Sequence, residues 1–155
     1  MCLAANLAGE AISISKTTAP HAVSYPFTSI YGVSHGHAVS LTINKFLKFN
    51  YANMKEANCN FDLKERFKII FDTAKLNNIK DFDKFLENLK SKAKLENNFE
   101  NLGIDITNDY SKIISGVNIL RLSNDPIEFS SKIARDRANV TIVGAVNMNI
   151  PRANF

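Results

Sequence analysis

Cysteines are few in this sequence and lie far apart. Cys2 and Cys59 each lack a second cysteine nearby, so the pattern excludes a disulfide framework and a cysteine-based zinc ribbon. Disulfides are rare in reducing compartments. Two isolated thiols are therefore typical of an intracellular protein, and we expect a cytoplasmic location with both thiols reduced.

Long apolar runs are missing as well. A membrane-spanning helix needs at least about 18 predominantly apolar residues, and no run in the chain reaches that length. No membrane partner is therefore expected. The apolar N-terminus contains Glu10 and has no basic residue before Lys16, which is not the pattern of a secretory signal.

Charge of one sign is not concentrated anywhere in the chain. The net charge is +4, which by itself would suit a polyanionic partner. The lysines, however, alternate with acidic residues at helical spacing, as in Asp81–Lys84 and Glu87–Lys90. Such a mixed pattern is typical of a solvated helix face, so we expect no nucleic-acid partner.

Helical periodicity runs through most of the chain. The hydrophobic content of 45% is ordinary for a globular domain. An amphipathic helix is predicted over residues 2–15 by the apolar stripe Leu3, Leu7, Ala11 and Ile14. Pro20 suits the first turn of the next helix, and Asp62 and Asp81 are predicted to cap two later ones. The fold class that follows is all-α, a helical bundle.

Two histidines are candidates for a chemical role in addition to a packing role. His21 and His35 are fourteen residues apart, and neutral imidazole is the commonest metal ligand in proteins. The two rings would meet at one ion if the chain between them doubles back. The alternative is that both are hydrogen-bonded histidines at helix ends. Tyr25, one turn after His21, should face the same way, while His37 is expected to point elsewhere.

The residues around these histidines form a longer pattern. Its first block runs from Leu7-Ala-Gly-Glu-Ala11 through His21 to Gly32-Val-Ser-His-Gly-His-Ala-Val39, and its second is Val117-Asn-Ile-Leu-Arg-Leu-Ser-Asn-Asp-Pro126. The pattern resembles the C-terminal, helical metal-binding domain of the iron-containing alcohol dehydrogenases over residues 1–129. The intervals from Gly9 to His21 and from His21 to His35, twelve and fourteen residues, both match that family. The region before His21 is more similar to the branch that contains phosphonoacetaldehyde reductases.

The resemblance implies a fold, a metal and a reaction. The fold would be that of the C-terminal domain of iron-type dehydrogenases and dehydroquinate synthases. His21 and His35 would bind a divalent Fe or Zn ion, together with an Asp and a His from an upstream helix. The reaction would be NAD(P)-dependent oxidation of a small alcohol or reduction of an aldehyde. Tyr25 would line the substrate space, and the alternative is that its ring only packs against its neighbours. Tyr25 and Ser34 depart from the family, which often has His and Pro at these positions.

The upstream ligands and the nucleotide-binding domain implied by the family have no counterpart in the sequence. We therefore expect a C-terminal fragment, truncated at its N-terminus and inactive alone. Exposure of apolar surface would then favour self-association. Two alternatives stay open. One is a non-enzymatic helical module with vestigial histidines, and the other is a dehydroquinate synthase-like lyase relative, although the Gly-His-x-x-Gly-His run of that family is missing.

The last residues, 130–155, do not follow the family pattern. Val140-Thr-Ile-Val143 is a β-branched run before Gly144, which is typical of a buried strand. The segment resembles one strand of the nucleotide-binding domain of zinc-type, medium-chain dehydrogenases. We interpret it as a strand-like tail of different origin, joined near residue 130. A tail specific to the family, docked as an edge strand or helix, is the alternative.

Overall fold

The computed structural model of the protein describes residues 1–128, so the predicted strand-like tail and its boundary lie outside the described residues. Seven α-helices and one short 3₁₀ turn make up this part, and no strand occurs within it. The all-α prediction is therefore confirmed. The helices are α1 Cys2–Ser15, α2 Ala19–Tyr31, α3 His35–Ala52, α4 Leu63–Ala74, α5 Ile79–Lys92, α6 Tyr110–Ser115 and α7 Ile119–Leu122, with the 3₁₀ turn at Met54–Glu56 between α3 and α4.

The first core cluster is built around α2 and α3. Phe27 is completely buried, and helix α3 adds Phe46 to the same cluster. Burial of one such aromatic side chain contributes about 1.5–3 kcal/mol. The small residues of this cluster, which allow close approach of the two helices, are Ala19, Ala22, Val23 and Ala38.

A tight turn joins these two helices. Gly32 ends α2 in the left-handed conformation, with φ of 70°, a region that glycine enters without steric cost. The amide of the next residue, Val33, donates to the carbonyl of Phe27 at 3.2 Å. Helix α3 begins two residues after Val33 and packs on α2.

A second cluster surrounds α4. Its buried members are Leu63, Phe67, Phe71 and Ile127. Asp62 caps this helix as predicted, since its Oδ1 accepts hydrogen bonds from the amides of Lys64 and Glu65 at 2.8 and 3.1 Å.

The predicted cap of α5 was wrong. Asn78, not Asp81, occupies the N-cap position, and its Oδ1 accepts from the amides of Lys80 and Asp81 at 2.9 and 3.0 Å. Asp81 lies in the first turn, where a negative charge is favourable beside the positive end of the helix dipole. Helix α5 therefore begins before Asp81 and not after it.

Helix α1 has no buried residue. Its predicted apolar stripe forms, but Leu3, Leu7 and Ile14 remain 72%, 55% and 84% exposed. An isolated helix of this length is marginally stable in water. The exposed apolar stripe of α1 would stabilise the helix if another apolar surface packed against it. No helix among residues 1–128 has the length and hydropathy needed to cross a membrane.

We propose that the chain self-associates through the exposed apolar stripe of α1. Leu7→Glu is then predicted to reduce this self-association, because it places a charge in the stripe. Sedimentation velocity across a concentration series measures the effect. Leu89→Glu is the matched control, since Leu89 is 47% exposed on a different helix, α5, and this change should leave self-association as it is. A chain that is monomeric at every concentration would contradict the prediction.

Candidate metal centre

The two predicted metal ligands lie side by side. His21 is in the first turn of α2, and His35 is the first residue of α3. Their ring centroids are 5.2 Å apart, with an angle of 63° between the ring planes. Residues 22–34 therefore bring the chain back on itself, as the metal hypothesis requires.

The surroundings of His21 favour its neutral form. Partial burial is the main cause that lowers the pKa of His21 below its ordinary value, and the neighbouring charges of His35 and Arg121 lower it further. A metal ion binds the deprotonated imidazole nitrogen and competes with protons for it. A lowered pKa therefore keeps this ring available to a cation at neutral pH.

Tyr25 lies beside the histidine pair. Its ring centroid is 6.0 Å from that of His35, and the guanidinium carbon of Arg121 is 5.6 Å from the Tyr25 centroid, a cation–π arrangement. The hydroxyl-bearing ring thus sits next to the candidate ligands, as its position one turn after His21 predicted.

His37 is engaged elsewhere. Its Nε2 is 2.6 Å from the backbone carbonyl oxygen of Glu96, in the segment after α5. This contact agrees with the expectation that His37 points away from the other two histidines.

The donor set of the described region fits part of a metal site. Within residues 1–128, no group of three or more His, Cys, Asp or Glu side chains is placed to hold a metal ion. Two adjacent imidazoles suit a divalent Fe or Zn ion, but a catalytic site normally has about three protein ligands. The residues present therefore fit as two ligands of a larger set.

Sequence reasoning missed the residues that hold the start of α2. The carboxylate Oδ2 of Asp125 accepts a hydrogen bond from the amide of Ala19 at 3.2 Å, and Arg121 donates to the hydroxyl of Thr17. In the sequence, both Arg121 and Asp125 are recognisable only as part of the second block of the family pattern. The partners are more than a hundred positions apart, so no local pattern pairs them.

Comparison with known proteins places the chain in a family. Residues 1–131 match the family model of the C-terminal part of the Fe-containing alcohol dehydrogenases. This is well over half of the chain. The chain belongs to the Fe-containing alcohol dehydrogenase family.

A relative with a named activity matches a shorter stretch. Over 49 residues the chain is 43% identical to the phosphonoacetaldehyde reductase of Streptomyces viridochromogenes. The aligned stretch covers 32% of this chain but only 12% of that protein. The predicted family and its branch are thus supported, and no solved structure matches the chain.

We predict that Asp125→Asn flattens the pH dependence of folding stability. Burial raises the pKa of Asp125 from 3.8 to about 6 in the folded protein, so the folded state holds this proton more tightly than the unfolded state does. The resulting stabilisation is complete below the unfolded pKa and is lost as pH rises through about 6. The shift corresponds to a change on the order of 2–3 kcal/mol.

Urea unfolding of both proteins at pH 4, 5, 6 and 7 measures this contribution. The difference between the two curves isolates Asp125, because both proteins share every other titrating group, including His21. The predicted difference changes steadily between about pH 4 and pH 6. Parallel stability curves over this interval would contradict the assignment.

Proposed function

We propose that this chain supplies two metal ligands, His21 and His35, to an NAD(P)-dependent alcohol dehydrogenase or aldehyde reductase. The observation that carries the proposal is the 5.2 Å separation of the two rings. It is supported by membership of the Fe-containing alcohol dehydrogenase family and by the lowered pKa of His21.

The proposed roles follow from the positions of the side chains. When bound, a divalent Fe or Zn ion polarises the oxygen of the alcohol or aldehyde as a Lewis acid. His21 and His35 would each hold it through one ring nitrogen, and Tyr25 beside them would line the substrate space. The sequence contains no glycine-rich phosphate-binding turn, so the nicotinamide nucleotide would be held by another part of the enzyme.

The substrate is proposed to be a small aldehyde or its alcohol. The named relative is a phosphonoacetaldehyde reductase, which makes an aldehyde with an anionic group the first compound to test. The match covers a small share of that protein. We therefore propose only the class of substrate for this chain and not the compound itself.

We further propose that the chain alone is inactive. The described residues offer two imidazoles where about three protein ligands are usual. Water molecules would have to complete the coordination sphere, which gives weak metal binding. Hydride transfer also requires a nicotinamide ring held against the substrate.

We predict that His21→Ala and His35→Ala each weaken Co²⁺ binding by more than about tenfold, because loss of a ligand should cost at least as much as loss of a partner that orients one. Isothermal titration of the purified chain at neutral pH measures the affinity. His37→Ala is the control, because it removes an imidazole on the same helix as His35 that contacts Glu96 instead. Equal affinity in all four proteins would favour a helical module with vestigial histidines.

We predict no NADH- or NADPH-dependent aldehyde reduction by the purified chain. The assay contains saturating Fe²⁺ or Zn²⁺ and follows nicotinamide absorbance with phosphonoacetaldehyde and with a simple aliphatic aldehyde. Turnover above the no-protein rate that disappears in His21→Ala would refute the inactivity proposal while supporting the ligand assignment.

A further inference from the structure

A segment distant in sequence contacts the start of α2 around the candidate metal ligand. We propose that Arg121 and Asp125, in residues 118–125, are positioning residues that fix the direction in which the His21 imidazole leaves its helix. This inference rests on the proposed role of His21 as a ligand. Residues 118–125 are called the clamp segment below.

The first contact replaces a missing local cap. Thr18 is the N-cap residue of α2, but its side chain makes no capping hydrogen bond. The amide of Ala19 donates instead to Oδ2 of Asp125 at 3.2 Å, and Asp125 is only 6% exposed. A carboxylate at a helix N-terminus satisfies a free amide and interacts favourably with the helix dipole. The Asp125 carboxylate thereby fixes the first turn of α2, which carries His21.

A second set of contacts holds the residue before this turn. The guanidinium of Arg121 donates to the hydroxyl of Thr17, and the side-chain amide of Asn124 donates to the Thr17 carbonyl at 3.1 Å. The preceding residue, Lys16, has φ of 62° and ψ of −167°, a region that is almost restricted to glycine. Such a conformation persists only when its surroundings hold it, and the contacts on Thr17 do so.

The third set lies on the other side of His21. The amide of Asn118 donates to the carbonyl of Ala22 at 3.2 Å, and the Arg121 guanidinium lies over the Tyr25 ring. The clamp segment therefore holds α2 at positions before and after His21. The positions that it contacts in this way are Thr17, Ala19, Ala22 and Tyr25.

This arrangement is suited to orienting a ligand. Groups that hold a metal ligand in its productive direction commonly influence affinity by about 10–100-fold without touching the ion. Here the backbone on both sides of His21 is tied to one short segment, so a shift of that segment would rotate the ring away from His35. The far end of α2 is tied independently, by the Tyr31 hydroxyl to Asp109 at 2.6 Å.

The test compares changes at the two ends of the same helix. Asp125→Ala and Thr17→Val remove contacts at the clamp, Asp125→Asn keeps an acceptor for the Ala19 amide, and Tyr31→Phe removes the hydrogen bond at the far end. The metal-free readout is the nuclear Overhauser effect between the ring protons of His21 and His35 in the full chain. The second readout is Co²⁺ affinity, and amide spectra establish that each variant is folded.

Positioning by the clamp segment predicts that Asp125→Ala and Thr17→Val lose the ring-to-ring effect and bind Co²⁺ roughly tenfold more weakly. Asp125→Asn and Tyr31→Phe should retain both properties. An unchanged ring-to-ring effect with unchanged affinity in folded Asp125→Ala and Thr17→Val overturns the inference. If Asp125→Ala does not fold, Thr17→Val decides, since it is nearly isosteric and removes only the hydroxyl.

The readouts also separate this inference from the proposed function. If His21→Ala binds Co²⁺ as tightly as the unchanged chain, the ligand assignment fails. The ring-to-ring effect still decides whether the clamp segment positions His21. If His21→Ala loses affinity while the clamp variants keep both properties, the ligand role stands and the positioning role is refuted.

Discussion

The packing of α2 against α3 is the interaction on which the candidate site depends. Ala19, Ala22 and Ala38 have no exposed surface, and their small side chains let the two helices approach closely. Gly32 supplies the turn that brings the second helix back. Two imidazoles that are fourteen positions apart in sequence thereby come to lie 5.2 Å apart. Without this packing the histidines would be unrelated side chains at two helix ends.

Local patterns predicted much of this arrangement. The helix stripes are read over a few turns, so the sequence alone indicated the all-α fold. The histidine spacing left two interpretations open, a metal pair or two hydrogen-bonded histidines at helix ends, and it was the resemblance to the family that favoured the pair. The Asp125–Ala19 hydrogen bond joins residues that are 106 positions apart, and periodicity carries no information about such pairing. The prediction of the α5 cap was wrong for a different reason. Asn78 and Asp81 both have capping side chains, and only the extended backbone of Asn78 distinguishes them.

Two features of the described region each lack contacts that features of their kind normally have. Its histidines supply two donors of a larger set, and α1 exposes an apolar stripe that no other described helix covers. A catalytic metal site and an amphipathic helix both require further contacts. Both features agree with the proposal that this chain supplies two ligands to a metal site completed by further residues, and the chain belongs to a family named for its iron.

The most direct test is the X-ray absorption spectrum of the full chain loaded with one equivalent of Zn²⁺, which reports the number of imidazoles bound to the ion. We predict two imidazole nitrogens at about 2.0–2.1 Å from the ion, with oxygen donors completing the shell, and one imidazole in His35→Ala. A spectrum with no imidazole scattering, or one that is unchanged in His35→Ala, would contradict the central claim that α2 and α3 bring two histidines to one cation.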